Sequence, residues 1–393
     1  MKIVLVHNSY QEPGGEDVVF EQERQLLKEH GHRVVAYIRS NHEIKNLSAI
    51  DQIALAKRAV WASDTHREFS RLLEIEQPDL AHIHNTLLVI SPSIYSACHE
   101  RGTPVVQTLH NFRLLCPAAT FHRNGKVCEE CVEQGLWRSV CHGCYRNSRR
   151  ETAAVALMLY WHRRTGTWQE SVTRYIALTE FSRAKFVAAG FPEDRIVVKP
   201  HFVAPDPCPQ ETAGEYALFV GRLCPEKGVA TLLRAWEQVR ARVPLRIVGD
   251  GPEREKLEED VKRSGLAGVA FLGHLSRRDT IAAAKSARFM VVPTLWYETF
   301  GMVVIEAFAC GKPVICSRLG PMSELVEDGR TGLHFAPGNS SDLAQKIDWA
   351  LEHPAEMAEM GRAARKEFET RYTAERNYSL LMEVYEQTVS SYV

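Results

Sequence analysis

Two glutamates, Glu298 and Glu306, bracket the segment Glu-Thr-Phe-Gly-Met-Val-Val-Ile-Glu, with seven residues between them. An apolar run at 289–293 precedes the segment and reads as a buried strand. Gly301 lets the loop turn into a helix, and 302–310 keeps the helical pattern until Gly311 and Pro313 stop it. One carboxylate therefore lies on the loop at the C-terminal end of a strand. The other lies about one and a half turns inside the following helix. The unpaired amides of Gly301, Met302 and Val303 favour an anion such as phosphate. In an open α/β sheet this edge is where ligands bind. A diphosphate over the helix start, with a carboxylate on each side for hydroxyls, describes a site for a sugar nucleotide.

Two further loops carry glycine and charge: Gly-Arg-Leu-Cys-Pro-Glu-Lys-Gly at 221–228 and Gly-Asp-Gly-Pro at 249–252. Each follows a predicted strand, so all three loops meet at one sheet edge. Arg222 offers a planar fork and Lys227 a mobile point charge, both suited to a diphosphate. One such loop alone is commonly just a turn. Three on consecutive strand ends, beside the glutamate pair, are hard to explain as turns.

The elements that must position these residues alternate along the chain. Apolar runs at 2–7, 33–38, 79–84, 104–109 and 175–178 form one series of strands, and those at 216–220, 245–248, 269–272, 288–292 and 313–316 form a second. Helical patterns fall between them, such as 17–30 closed by Gly31 and 228–242 closed before Pro244. This alternation implies α/β architecture with parallel sheets covered on both faces. A proline-rich stretch at 201–214 lacks periodicity and reads as a linker. With 393 residues, two domains are expected: residues 1–203, residues 214–372, and a terminal helical segment at 373–393 that packs back on the first.

The balance of 48 basic against 49 acidic residues gives no global push towards nucleic acid or membrane, and no nucleic-acid partner is expected. Residues 1–7 are too short and too quickly polar for a signal peptide. No stretch approaches the roughly 20 apolar residues of a membrane span. Without a secretion signal, the ten cysteines argue for free thiols or a metal site rather than a disulfide frame, and a cytoplasmic location is expected.

On these motifs the chain resembles glycosyltransferase family 4, the retaining GT-B glycosyltransferases, over essentially its whole length. That family carries the Gly-Arg…Glu-Lys-Gly loop, the Gly-Asp-Gly-Pro turn and the Glu-x7-Glu element in this order. The first half fits too: Gly14 and Gly15 follow the first strand, and His110 follows the strand at 104–109, with Asn111 where aspartate is frequent. The resemblance implies two doubly wound Rossmann-like domains facing across a cleft, the first for acceptor and the second for nucleotide-sugar. It implies that Arg222 and Lys227 bind the donor diphosphate, that Glu306 holds the ribose, and that Glu298 touches the transferred hexose. Phe300, Gly301, Met302 and Val303 would place amides on sugar and phosphate. Gly249 lies in the second phosphate loop, Gly273, His274 and Leu275 would lie against the base, and His110 would contact the sugar from the other domain. The implied reaction is metal-independent retaining transfer of a hexose to a sugar hydroxyl of a glycan or lipid-linked acceptor, in surface polysaccharide or glycolipid synthesis, with no catalytic cofactor. A glycosidase also uses two carboxylates, but it needs no diphosphate site beside them. A nucleotide-sugar epimerase of the same fold is the alternative enzyme.

Five cysteines fall at 116–144, within the first half. Cys128 and Cys131, like Cys141 and Cys144, have the Cys-x2-Cys spacing of a tetrahedral zinc site. The intervening Asn124-Gly125 reads as the turn of a small hairpin. Some family members carry a similar segment, which points to Cys116, Cys128, Cys131 and Cys144 as structural zinc ligands, with Cys141 as the alternative to Cys116. From a different class of function, the same knuckles suit a zinc-dependent binding module. The stretch 146–174 has an apolar middle between arginines. It reads either as a core helix with solvated ends or as an amphipathic surface that touches anionic lipid at the inner face of the membrane.

Overall fold

The computed structural model describes residues 1–10, 14–44, 55, 57–210, 214–240 and 243–392. The strands are β1 Lys2–Ser9, β2 Arg33–Ser40, β3 Leu80–Ile83, β4 Val105–Thr108, β5 His122–Arg123, β6 Lys126–Val127, β7 Arg174–Ala177 and β8 Ile196–Val198, followed by β9 Tyr216–Val220, β10 Leu245–Val248, β11 Val269–Gly273, β12 Ala287–Val292, β13 Val314–Ser317 and β14 Gly332–Phe335. They form two six-stranded sheets, ordered β2-β1-β3-β4-β7-β8 and β11-β10-β9-β12-β13-β14, and every described pair within these sheets is parallel. Helices connect successive strands, as a parallel pairing requires. The result is the GT-B arrangement of two Rossmann-like sheets. Strands β8 and β14 are absent from the sequence-derived series.

The chain divides into two compact units, one of residues 1–121, 128–200 and 377–393 and the other of residues 122–127 and 201–376. The hairpin β5–β6 thus groups with the second unit, although the cysteines around it belong to the first. Its turn is Asn124-Gly125 with φ of 51° and 75°, the pair of left-handed residues that a two-residue hairpin demands. In the first unit, Ile3, Leu5, Phe20, Leu80, Val106 and Ile176 form a core to which the terminal helix Ala374–Tyr392 adds Leu381, Val384 and Tyr385.

In the second unit the helix Met302–Ala309 buries Val304, Ile305, Ala307, Phe308 and Ala309. Glu306 is its one ionisable side chain, so its apolar surface drives it into the sheet and carries a carboxylate in with it. Gly301 caps its start at φ 117°, where a side chain would be strained, and Gly311 ends it at φ 68°. The helix expected at 228–242 spans only Val229–Trp236. The Trp236 indole then donates to the Val243 carbonyl oxygen at 3.3 Å, so the chain folds back towards β10 sooner than propensity alone suggests.

Candidate functional site

The order of the second sheet reverses between β9 and β12, so their C-terminal ends open a crevice at the switch point, the general ligand position in such sheets. The loops after β9, β10 and β12 are locked together there by glycine. A Cβ on Gly228 would stand 1.9 Å from the Pro293 carbonyl oxygen, and one on Gly249 would stand 1.9 Å from that of Gly221. Neither approach is open to a residue with a side chain. Backbone bonds complete the weave: Leu223 N–H donates to Asp250 O at 2.8 Å, Glu253 N–H to Leu223 O at 3.0 Å, and Leu295 N–H to Glu226 O at 2.8 Å.

Lys227 and Glu298 face each other across the switch point. The Lys227 ammonium ion-pairs with Glu298 Oε1, with side chains 27% and 14% exposed. The Trp296 indole donates to the same carboxylate oxygen at 2.8 Å, and the Lys227 Nζ lies 5.3 Å from the Trp296 ring centre. Burial alone would lower the Lys227 pKa, but the Glu298 charge and hydrogen bond outweigh it and hold the ammonium above its ordinary range. The site therefore presents a fixed cation whose partner carboxylate is itself held by an indole. Arg222 is exposed on the same loop. Phe300 is buried, whereas Gly301, Met302 and Val303 are half-buried at the helix start, one residue or more beyond the carboxylate loop. Burial pushes the Glu306 carboxyl up, partly offset by Arg277. Gly273 and Leu275 end the β11 edge, and His274 is exposed there. The geometry thus gathers Lys227, Glu298 and the helix start, and sets Arg222, Gly249 and Gly273 on adjoining strand ends.

In the first unit the sheet reverses between β1 and β3, and residues from both bordering loops assemble. Gly14 caps the helix Gly15–Glu29: its amide donates to Asp17 Oδ2 at 2.7 Å, while the other oxygen of Asp17 meets His7 Nε2 at 2.8 Å. Against the penalty of burial, these bonds hold the Asp17 carboxyl below its usual range. Asn111 donates to Glu16 Oε2 at 3.2 Å, tying the loop after β4 to that helix. His110 is buried and bonds through Nε2 to His84 Nδ1 at 2.8 Å. On its far side His84 Nε2 stands 3.4 Å from Glu23 Oε2, and the Lys199 ammonium sits 2.6 Å from Glu23 Oε1 and 3.0 Å from Asn377 Oδ1. Burial first, then the neighbouring imidazoles, push the His84 pKa well down, so its ring is neutral. In the His84–His110 bond one ring nitrogen donates and the other accepts, according to the tautomers of the two rings.

This chain of buried polar groups escaped the sequence reading, as did Trp296. Signals existed: His82 and His84 alternate in a strand and so share a face, and Lys199 closes an otherwise apolar run.

Among the described residues, the one set of three or more ligand-type atoms drawn within 4.8 Å of one another is Glu23, His82 and His84. The Lys199 ammonium on Glu23, and His82 bonded through both nitrogens to Tyr385 and Thr108 at 2.7 Å, leave it poorly suited to a cation. Of the clustered thiols, Cys116 and Cys131 are buried and Cys141 is exposed. Hydrogen bonding with Cys131 holds the Cys116 thiol down at about 6. Cys131 is pushed up by that same contact, with burial and the charges of Cys116 and Cys144 adding to it.

Residues 209–367 match the family model of glycosyl transferases group 1, and residues 14–201 that of the glycosyl transferase 4-like domain. A stretch of 172 residues is 33% identical to an uncharacterized glycosyltransferase of Methanocaldococcus jannaschii, covering 44% of this chain and 48% of that protein. Glycogen synthase of Mycobacterium tuberculosis is 35% identical over 153 residues, 38% of this chain and 37% of that enzyme. The chain thus spans about half, or less, of the length of these relatives. Among solved structures, HepE of Anabaena, determined in complex with UDP, superposes with a TM-score of 0.70 at 20% identity, covering 98% of this chain and 100% of that one.

Proposed function

We propose, from the premise that this chain belongs to the family-4 type of GT-B glycosyltransferases, that it moves a hexose from a nucleoside-diphosphate sugar to a sugar hydroxyl of a glycan or lipid-linked acceptor, with retention at the anomeric carbon. The observation that carries this reading is the Lys227–Glu298 pair at the switch point beside the start of the helix Met302–Ala309. As the sugar–phosphate bond breaks, negative charge develops on the leaving diphosphate. Lys227, Arg222 and the helix amides would stabilise it without a metal ion. Donor binding draws Lys227 to phosphate and releases Glu298 to the hexose hydroxyls, while Glu306 meets the ribose and the β11 edge the base. His110 is the assigned sugar contact on the first unit, held in place by its bond to His84.

HepE was solved with UDP and also with UDP-glucose, which supports a nucleotide-sugar donor here. Thermal-shift titration with the uridine, guanosine and adenosine diphosphates and their sugars tests the reading. One base series should raise the melting temperature, and acceptor-dependent consumption of that sugar should follow. No shift from any of the three removes the donor site. Conversion of the donor sugar without acceptor marks an epimerase instead.

An acceptor at a membrane surface is favoured by the helix Arg149–Arg164. One side of it buries Val155, Met158 and Leu159, while Leu157, Tyr160 and Trp161 remain 57%, 60% and 53% exposed. Large apolar side chains at i, i+3 and i+4 share a face, and Arg149, Arg150 and Arg164 are exposed on the same helix. We assign this face to an anionic leaflet; no helix among the described residues is long and apolar enough to cross a membrane. The protein should float with phosphatidylglycerol vesicles at low salt, and Trp161→Asp should abolish flotation. Absence of binding by the unaltered chain refutes the assignment.

The thiols Cys116, Cys128, Cys131 and Cys144 are proposed as ligands of a structural zinc ion. The hydrogen-bonding contact of buried Cys116 with Cys131 and the exposure of Cys141 favour this set over the one containing Cys141. Elemental analysis of protein purified without chelator should find about one zinc per chain; its absence from such protein refutes the site.

A further inference from the structure

Trp296 lies two residues before Glu298, on the loop between β12 and the helix Met302–Ala309. The base of this loop is pinned to the loop after β9. Leu295 N–H donates to Glu226 O at 2.8 Å, and the hydroxyl of buried Thr294 donates to the same oxygen at 3.3 Å. Trp296 therefore leaves a fixed stretch of backbone, and Lys227 leaves the residue next to Glu226. The indole and the ammonium are held at one junction.

The indole touches both charges of the pair. Its Nε1–H donates to Glu298 Oε1 at 2.8 Å, the oxygen that also receives the Lys227 ammonium. The Lys227 Nζ stands 5.3 Å from the ring centre, inside the range of about 6 Å over which an aromatic face attracts a cation. Both bonds fall on Oε1, which leaves Oε2 to meet a substrate hydroxyl. An indole nitrogen only donates, so the contact favours the ionised carboxylate. Donor binding affects the two bonds differently. A diphosphate competes with Glu298 for the ammonium, whereas the indole comes from Glu298's own loop and stays. A carboxylate that is 14% exposed and has lost its cation would otherwise turn towards water or another donor.

Granted that Glu298 meets the transferred hexose, we propose that Trp296 is a positioning residue for the transfer: its N–H holds the Glu298 carboxylate on the hexose hydroxyls once Lys227 has moved to the diphosphate. Trp296 thus acts on the sugar half of the donor and not on the nucleotide half, although the cation beside it serves the diphosphate.

Trp296→Phe keeps an aromatic ring and removes the N–H. Parent and variant are titrated calorimetrically with UDP and UDP-glucose, GDP and GDP-mannose, and ADP and ADP-glucose, and followed with the pair that the parent binds. The variant should bind the bare diphosphate within about twofold of the parent and the sugar nucleotide about tenfold more weakly, as loss of a hydrogen bond to a charged group requires. Its kcat/KM for the donor should fall at least as far. Both affinities are read on one preparation, so their ratio is unaffected by any unfolded fraction of the variant. In a Glu298→Ala background the same substitution should cost little more, because the carboxylate it positions is gone. A parental ratio of the two affinities in Trp296→Phe overturns the proposal and leaves the donor crevice in place: with both unchanged the indole is idle, and with both equally weakened it only supports the loop. A full additional loss in the Glu298→Ala background also overturns it, since the indole then acts independently of the carboxylate. Binding of no pair by the parent removes the donor crevice, and the role of Trp296 with it.

Discussion

Lys227→Ala should lower donor turnover by about a hundred- to a thousandfold, the cost of removing one preorganised donor from a developing oxyanion, while the protein stays folded. The fold should survive because the Lys227 and Glu298 side chains are 27% and 14% exposed. A pair that reaches solvent contributes little to stability, about 1 kcal/mol at most. Glu298 also keeps its indole bond from Trp296 at 2.8 Å. The loop itself is held by backbone contacts, above all the approach of Gly228 to Pro293, which the substitution leaves alone. Glu298→Gln separates the two roles. It keeps the indole contact and much of the shape but frees Lys227 from its carboxylate, so diphosphate affinity should rise or hold while transfer falls. Turnover by purified, folded Lys227→Ala at the parental rate would remove the cationic clamp from the mechanism. A parallel loss of melting temperature would show that the lysine acts in folding instead.

The sequence made the sheet edges legible because parallel strands buried on both faces are continuous apolar runs, and because the loops that follow them are marked by glycine and charge. It could not show why those glycines are needed. Gly228 and Gly249 are required by carbonyl oxygens of neighbouring loops 65 and 28 residues away, Pro293 and Gly221, and only the assembled sheet brings these together. The order β11-β10-β9-β12-β13-β14 was hidden for the same reason, since strand pairing is a non-local choice. That order turns two separate motifs into one crevice by placing the loop of Lys227 beside that of Glu298. Trp296 was hidden differently: an aromatic beside a charged loop reads as packing until its indole nitrogen is seen on the carboxylate. The buried polar chain of the first unit was hardest to read, because its members Glu23, His84, His110, Lys199 and Asn377 come from five separate elements.

Lys199→Met should destabilise the first unit by about 3–5 kcal/mol, the cost of leaving one member of a buried ion pair alone. Lys199 and Glu23 are each 1% exposed and lie 2.6 Å apart. With the ammonium gone, Glu23 loses its cation, and the His84 ring, whose Nε2 is 3.4 Å away, is kept neutral by burial and does not replace it. For a unit of this size the melting temperature should fall by about 2–4 °C per kcal/mol. Two controls make the cause visible. Glu23→Leu combined with Lys199→Met removes both charges and should recover much of the loss, as apolar replacement of buried pairs commonly does. Acidification should also narrow the gap between Lys199→Met and the parent protein. A lone buried carboxylate favours its protonated form when folded, so stability missing at neutral pH returns as the proton is taken up. If the single variant melts with the parent at every pH, Glu23 is not held as an anion by Lys199.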